Sequence, residues 1–222
     1  ESFKDTVQNI CSMKMDCVVM RHPVPGSALQ LTKFVDAIVV NGGDGSHEHP
    51  TQALLDMMSL KERFGKIENL KVAIVGDILH SRVALSNIYG LIKMGAKVVV
   101  CGPPNLIQKG IEELGVSVSY DIDEVLEWAD AINILRIQKE RMGIGIIPSI
   151  REYRKFFGIT KDRLNQHKKE FVIMHPGPMN RGVEIDSEVA DSEQAIILDQ
   201  VLNGVAVRMS ILYLLLGNNE LR

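Results

Sequence analysis

KVAIVGDILHSRVALSNIYGLIKMGAKVVVCG, residues 71–102, is the stretch that decides the fold. Lys71–Val75 and Lys97–Cys101 are short, rich in valine and almost wholly apolar beyond the leading lysine. Strands of a parallel sheet read this way when both faces are covered. Between them, Ala84, Ile88, Leu91 and Ile92 fall on one face of a helix predicted over 81–94. Strand, helix and strand in that order predict a right-handed βαβ crossover.

The alternation continues in both directions. Strands are predicted at 16–20, 37–41, 131–135 and 171–174, and helices near 3–14, 26–35, 50–64, 104–114, 121–129 and 161–168. A long last helix is predicted from about 194 to 216. The implied class is α/β, with parallel sheets flanked by helices. Residues 64–69 form the predicted hinge, dividing a first unit, 1–64, from a second, 65–193. Two strands are too few to close a sheet, so the first unit is expected to have partner strands before Glu1 or on another chain.

Bulk properties exclude several classes. The 222 residues carry a formal charge of −3, with 45% apolar and 24% charged residues. That balance suits a soluble domain and offers no overall attraction to nucleic acid or an anionic membrane. Cys11, Cys17 and Cys101 make an odd set without C-x-x-C spacing, so reduced thiols in the cytoplasm are expected. The start, ESFKDTVQN, lacks the pattern of a secretion signal. The most apolar run, 209–217, is shorter than the ~20 residues of a membrane span and reads as a buried helix.

Four motifs stand at predicted strand ends. In NGGDGSHEHPTQ, residues 41–52, a glycine-rich turn leads to Pro50 at the first helical position, with His49 as N-cap and Gln52 three residues on. Free N–H groups and the positive end of the helix dipole make an anion site there; a capped helix with incidental histidines is the competing reading. His47 and His49 lack the supporting cysteines or carboxylates of a metal site, so no metal is expected. Neither G-x-G-x-x-G nor G-K-[ST] occurs, so dinucleotide and P-loop readings lack their signature.

In GDILHSRVALSN, residues 76–87, Arg82 sits in the first turn of its helix, where the dipole opposes a cation. An anionic ligand would relieve that cost, as would a pairing with Asp77. In LRIQKER, residues 135–141, Arg136 and Gln138 alternate at the C-terminal end of a strand and point to one side. Ligands of open α/β sheets bind beyond such ends, and a guanidinium grips a carboxylate with two bonds. A solvated polar loop is the alternative. In MHPGPMNRGVEI, residues 174–185, two prolines stiffen a loop that could aim carbonyls at an amino group, or could simply turn. Together these motifs suit a small substrate with several negative charges.

HPTQALLD, GDILHSRVALSN, RIQKER, HPGPMNRGVEI and QVLNGVAVRM, in this order and spacing, resemble the aspartate carbamoyltransferases over essentially all of the chain. Ornithine carbamoyltransferases share H-P-x-Q, but normally carry H-C-L-P where this chain has His175-Pro176-Gly177-Pro178, and lack R-x-Q-x-E-R. The resemblance implies one domain for carbamoyl phosphate and one for aspartate, with the final helix, within 194–222, crossing back to the first. It implies transfer of a carbamoyl group from carbamoyl phosphate to L-aspartate in pyrimidine synthesis, without metal or organic cofactor. It also implies a homotrimer with shared active sites, and regulatory or dihydroorotase chains are possible partners by analogy.

Residue by residue, the resemblance implies that Arg21 holds the phosphate and His49 donates to the carbamoyl oxygen, these two being the catalytic pair. Gln52 and the loop Pro176, Gly177 and Pro178 hold the carbamoyl phosphate amino end, with a cis peptide at Gly177–Pro178. Arg82, Arg136 and Gln138 grip aspartate. The family's S-T-R-T phosphate loop and K-G-E element are absent from these 222 residues, and Glu1-Ser2 resembles the tail of the second. The chain alone is therefore expected to have little activity. Two rival readings are a carbamoyltransferase for another amine, such as ornithine, and an inactive binding module.

Overall fold

A computed structural model describes residues 3–137, 149–167 and 169–217. The first unit comprises α1 (Phe3–Ser12), β1 (Cys17–His22), α2 (Ser27–Leu31), β2 (Ile38–Asp44) and α3 (Pro50–Phe64). β1 and β2 pair in parallel, Cys17 opposite Ile38. α3 ends at Gly65, whose φ of 78° suits a residue without a β-carbon.

The second unit begins with the βαβ crossover: β3 (Lys71–Val75), α4 (Arg82–Lys93) and β4 (Lys97–Cys101). It continues with β5 (Ser117–Ser119), α5 (Ile122–Trp128), β6 (Ala131–Ile134), α6 (Ile150–Phe157), α7 (Lys161–Gln166), β7 (Val172–Met174) and α8 (Ser187–Ala190). The five strands form one parallel sheet in the order β5-β4-β3-β6-β7. Period-two alternation feeds two cores. Val72, Ile74, Val98, Val100, Val172 and Met174 face α4, meeting Ala84, Ile88 and Leu91. Ala73, Val75, Cys101, Ile132, Ile134 and Ile173 face α5, meeting Ile122, Val125 and Leu126. The chain order reverses between the neighbouring strands β3 and β6, and this is where such sheets bind ligands.

α9 (Ile197–Leu216) crosses back to α3, where Asn203 Nδ2 donates to Ser59 Oγ at 3.0 Å and to Glu62 at 2.6 Å. The two units therefore share a second connection beyond the 64–69 link.

Some local readings change. The predicted helix over 104–114 is two 3-10 turns, Pro104–Leu106 and Ile111–Leu114. Gly110, at φ 78°, breaks the run between them. β5, α6 and α8 are additions. For α6 the signal was present: Ser149 and Glu152 have capping-box spacing, and Ser149 Oγ accepts from Glu152 N at 3.0 Å. The run 209–217 is not a buried helix. It is the outer half of α9, with Met209 66% and Tyr213 77% exposed. α9 has the length and apolar character of a membrane span, with a mean hydropathy of 1.3. Its Gln200 and Asn203, however, are spent on bonds within the protein.

Candidate active site

β2 runs out at Asp44, and the turn that follows sets His49 as N-cap of α3 with Pro50 in the first helical position. The His49 side chain makes no capping bond, so it is available to the cleft. Its backbone N–H donates to Ser86 Oγ at 2.8 Å. The Ser86 hydroxyl donates in turn to the Glu48 carboxylate. Ser86 belongs to α4, so these bonds tie the head of α3 to the second unit.

α4 is capped by Ser81, whose Oγ accepts from Ala84 N at 3.3 Å. Arg82 is its first residue and is only 8% exposed. Its Nη1 lies 3.4 Å from the Gly45 carbonyl, back across the unit boundary. Of the Asp77 carboxylate proposed as a rival partner, Oδ1 accepts from His80 N at 3.1 Å. Arg136 follows β6 and is half-buried. Gln138 lies outside the described residues.

The loop after β7 is held at its base. His175 N donates to Gln200 Oε1 at 2.9 Å, and Gly177 N donates to His175 Nδ1 at 2.9 Å. The Gly177–Pro178 peptide is cis, as expected from the resemblance.

Arg21, His49, Gln52, Arg82, Arg136 and the loop Pro176–Gly177–Pro178 line one cleft of about 440 Å³. Arg82 and Arg136 thus open into the same space. The sequence reading missed three lining residues, Ser81, Val83 and Arg208. Arg208 stood inside QVLNGVAVRM, but α9 had to be folded back before its place was visible. No acidic side chain is among the described lining residues.

Four guanidinium groups in one cleft, with no acid among its described lining residues, make a strongly positive site. Burial, then the charges of Arg82, Arg21 and Arg208, push the His49 imidazole down to about 4. It is therefore neutral at pH 7. Thr51 Oγ1 stands 3.4 Å from His49 Nδ1, and a hydroxyl directed there leaves Nε2 as the ring donor. The cleft can hold a polyanion and offer an uncharged donor beside it.

Comparison with known proteins agrees with this geometry. Residues 68–215 match the family described as aspartate/ornithine carbamoyltransferase, Asp/Orn binding domain. Residues 1–62 match the carbamoyl-P binding domain of the same enzymes. This chain belongs to the aspartate/ornithine carbamoyltransferase family.

Among curated carbamoyltransferases, the aspartate carbamoyltransferase catalytic subunit of Christiangramia forsetii is 62% identical over 97% of the chain and 69% of its own length. That of Cytophaga hutchinsonii is 59% identical over 98% of the chain and 71% of its own length. Among solved structures, the catalytic subunit of M. jannaschii aspartate transcarbamoylase superposes with a TM-score of 0.85 at 33% identity. It covers all of this chain and 73% of that one. The Trypanosoma cruzi aspartate transcarbamoylase in complex with carbamoyl phosphate and aspartate gives 0.84 at 27% identity, covering 96% and 70%. The carbamoyltransferase cleft lies between the segments matched by the two domain families, with Arg21, His49 and Gln52 from one and Arg82, Arg136 and the Pro176 loop from the other.

Proposed function

We propose that this protein transfers the carbamoyl group of carbamoyl phosphate to the amine of L-aspartate, giving N-carbamoyl-L-aspartate and phosphate. The observation that carries the reading is the convergence of Arg21, His49, Gln52, Arg82 and Arg136, from two domains, in one cleft without acidic lining among the described residues. Carbamoyl phosphate and aspartate together bring several negative charges to one place, and guanidinium groups are suited to both phosphate and carboxylate.

The roles are those the family resemblance implies, and the lining of the cleft supports them. Arg21 holds the phosphate. Arg82 and Arg136 hold the two carboxylates of aspartate, with Gln138 assisting. Gln52, with the backbone of Pro176 and Gly177 and the stiffening of Pro178, holds the carbamoyl amino group. The aspartate amine attacks the carbamoyl carbon, and negative charge gathers on the carbonyl oxygen. His49 donates to that oxygen as a neutral imidazole, which its depressed pKa supports. The bond to the phosphate oxygen breaks, and the departing phosphate takes the amine proton. Clamping both anions in line supplies much of the acceleration.

Transfer to ornithine is the rival reading, supported by a TM-score of 0.81 to an ornithine carbamoyltransferase from Pyrococcus furiosus. Ornithine carries a side-chain cation, and a cleft lined by four arginines and no described acid would repel it. We place the reaction in pyrimidine synthesis, in the cytoplasm, in a homotrimer. The test is direct. The protein purified from its source is given carbamoyl phosphate with aspartate or ornithine, and the carbamoylated product is identified. Calorimetry with N-(phosphonacetyl)-L-aspartic acid measures the cleft itself. Carbamoyl ornithine as the main product would overturn the assignment.

A further inference from the structure

The cleft rests on a buried carboxylate to which none of the roles above is assigned. Asp56 stands one turn after Gln52 on α3 and is 0% exposed. Its Oδ1 accepts from Gln52 Nε2 at 3.0 Å and from Gln200 Nε2 at 2.7 Å. Its Oδ2 accepts from Asn87 Nδ2 at 2.8 Å and Asn133 Nδ2 at 3.2 Å. These four amides come from α3, α9, α4 and β6, so the carboxylate joins both domains and the crossing helix.

Backbone groups fix the sense of two of these amides. Gln200 Oε1 is used by His175 N, which leaves its Nε2 for Asp56. Asn87 Nδ2 also donates to the Val83 carbonyl at 3.1 Å. A proton on either carboxyl oxygen would therefore meet a donor already pointed at it. Burial pushes the Asp56 carboxyl up, and hydrogen bonds from Asn87, Gln200, Gln52 and Asn133 oppose it. Four donors suit the acceptor-only ionised form.

The consequence falls on Gln52. With Nε2 committed to Asp56, its amide oxygen is the atom left for the cleft that Gln52 lines. In a site crowded with guanidinium donors, that oxygen is an acceptor. A ligand group bearing N–H satisfies it; a methyl group in the same place leaves it unpaired. The same carboxylate reaches the opposite wall through Gln200, His175 and Gly177.

We infer that Asp56 is a positioning residue: it fixes Gln52 with its oxygen toward the cleft and braces the His175–Gly177 turn, so that the site selects an acyl phosphate carrying an amino group. The inference rests on reading the cleft as a carbamoyl phosphate site, and the test separates the two.

The protein purified from its source is titrated calorimetrically with carbamoyl phosphate, acetyl phosphate and inorganic phosphate. Acetyl phosphate differs by a methyl in place of the amino group. The unaltered chain should prefer carbamoyl phosphate by about tenfold, the worth of one buried hydrogen bond. Asp56→Asn retains volume but offers one acceptor oxygen to four donors and turns its own amino group on two of them. It should bring the preference close to one while inorganic phosphate binds as before. Gln52→Ala should do the same, and combining the two should add nothing further. Retained preference in Asp56→Asn, or losses that multiply in the double variant, would overturn the inference.

Should Asp56→Asn fail to fold, the unaltered chain still decides. The Gln52 side-chain amide protons should exchange slowly with solvent, and rapid exchange would remove the Asp56 anchor. Failure of the unaltered chain to bind any of the three phosphates would sink the proposed site and the selectivity with it. Amide exchange would still report on the Asp56–Gln52 bond.

Discussion

A β-carbon on Gly43 would stand 2.8 Å from Cζ of Arg82, so the guanidinium packs directly over the backbone at the end of β2. Residue 43 has a φ of +118°, a conformation that side chains rarely adopt. The first domain thus shapes the seat of an arginine that the second domain supplies. Gly43→Ala should destabilise the protein by about 1–3 kcal/mol through backbone strain and displacement of Arg82. It should also weaken binding of N-(phosphonacetyl)-L-aspartic acid. Chemical denaturation and calorimetry check both, and an alanine variant of unchanged affinity would separate Arg82 from the site.

His49 gives a pH prediction of definite sign. Its folded pKa is depressed to about 4, below the ordinary imidazole value of 6.5. Between these values the unfolded chain holds more protons, so stability falls as pH drops from 6.5 toward 4 and is insensitive to this group above 6.5. The imidazole resonances of His49 should show no titration between pH 6 and 8. A midpoint near 6.5 would contradict the burial and the three neighbouring arginines.

His49→Ala should reduce turnover by about 10²-fold, the scale for loss of an oxyanion donor. Affinity for carbamoyl phosphate should change far less, because the bond strengthens as the oxygen gains charge. Steady-state kinetics of the protein from its source, beside equilibrium binding, separates the two effects. Equal losses would make His49 a ground-state contact.

Arg208 was not among the residues singled out in the sequence, yet it lines the cleft and bears on His49. Arg208→Gln should weaken inorganic phosphate binding about tenfold, the worth of a charge-assisted hydrogen bond. It should also let the His49 pKa rise from about 4. Calorimetry and imidazole titration read these independently.

A control lies outside the cleft. Burial of His167 opposes its protonation, but its contacts with Glu127 at 2.7 Å and Asp123 at 3.1 Å outweigh that and raise its pKa. This contribution to stability is full below 6.5 and is lost as pH rises through the higher folded value. His167→Gln should therefore lower the thermal midpoint more at pH 6 than at pH 9 and leave ligand affinity alone. Equal shifts at both pH values would remove the linkage.

Local pattern carried much of the fold. Lys71–Val75 and Lys97–Cys101 are strands as read, because a strand covered on both faces must be apolar throughout. Pro50 and Gly65 mark the ends of α3 for reasons internal to the chain: one lacks an N–H, the other lacks a β-carbon. β5, by contrast, is Ser-Val-Ser, and only the neighbouring β4 makes it a strand.

Local motifs in the sequence already marked His49, Gln52, Arg82, Arg136 and the Pro176 loop as able to meet a multiply charged anion, and the family resemblance added Arg21. That they share one cleft came from the folded chain, because β1, α3, α4, the loop after β7 and α9 bring together residues as distant in the chain as Arg21 and Arg208. Tertiary structure alone brought Arg208 to His49 and made that histidine neutral, since burial and charge proximity are properties of folded space. Helix periodicity can say that α9 has an apolar face, but which groups its Gln200 reaches depends on where the helix finally packs.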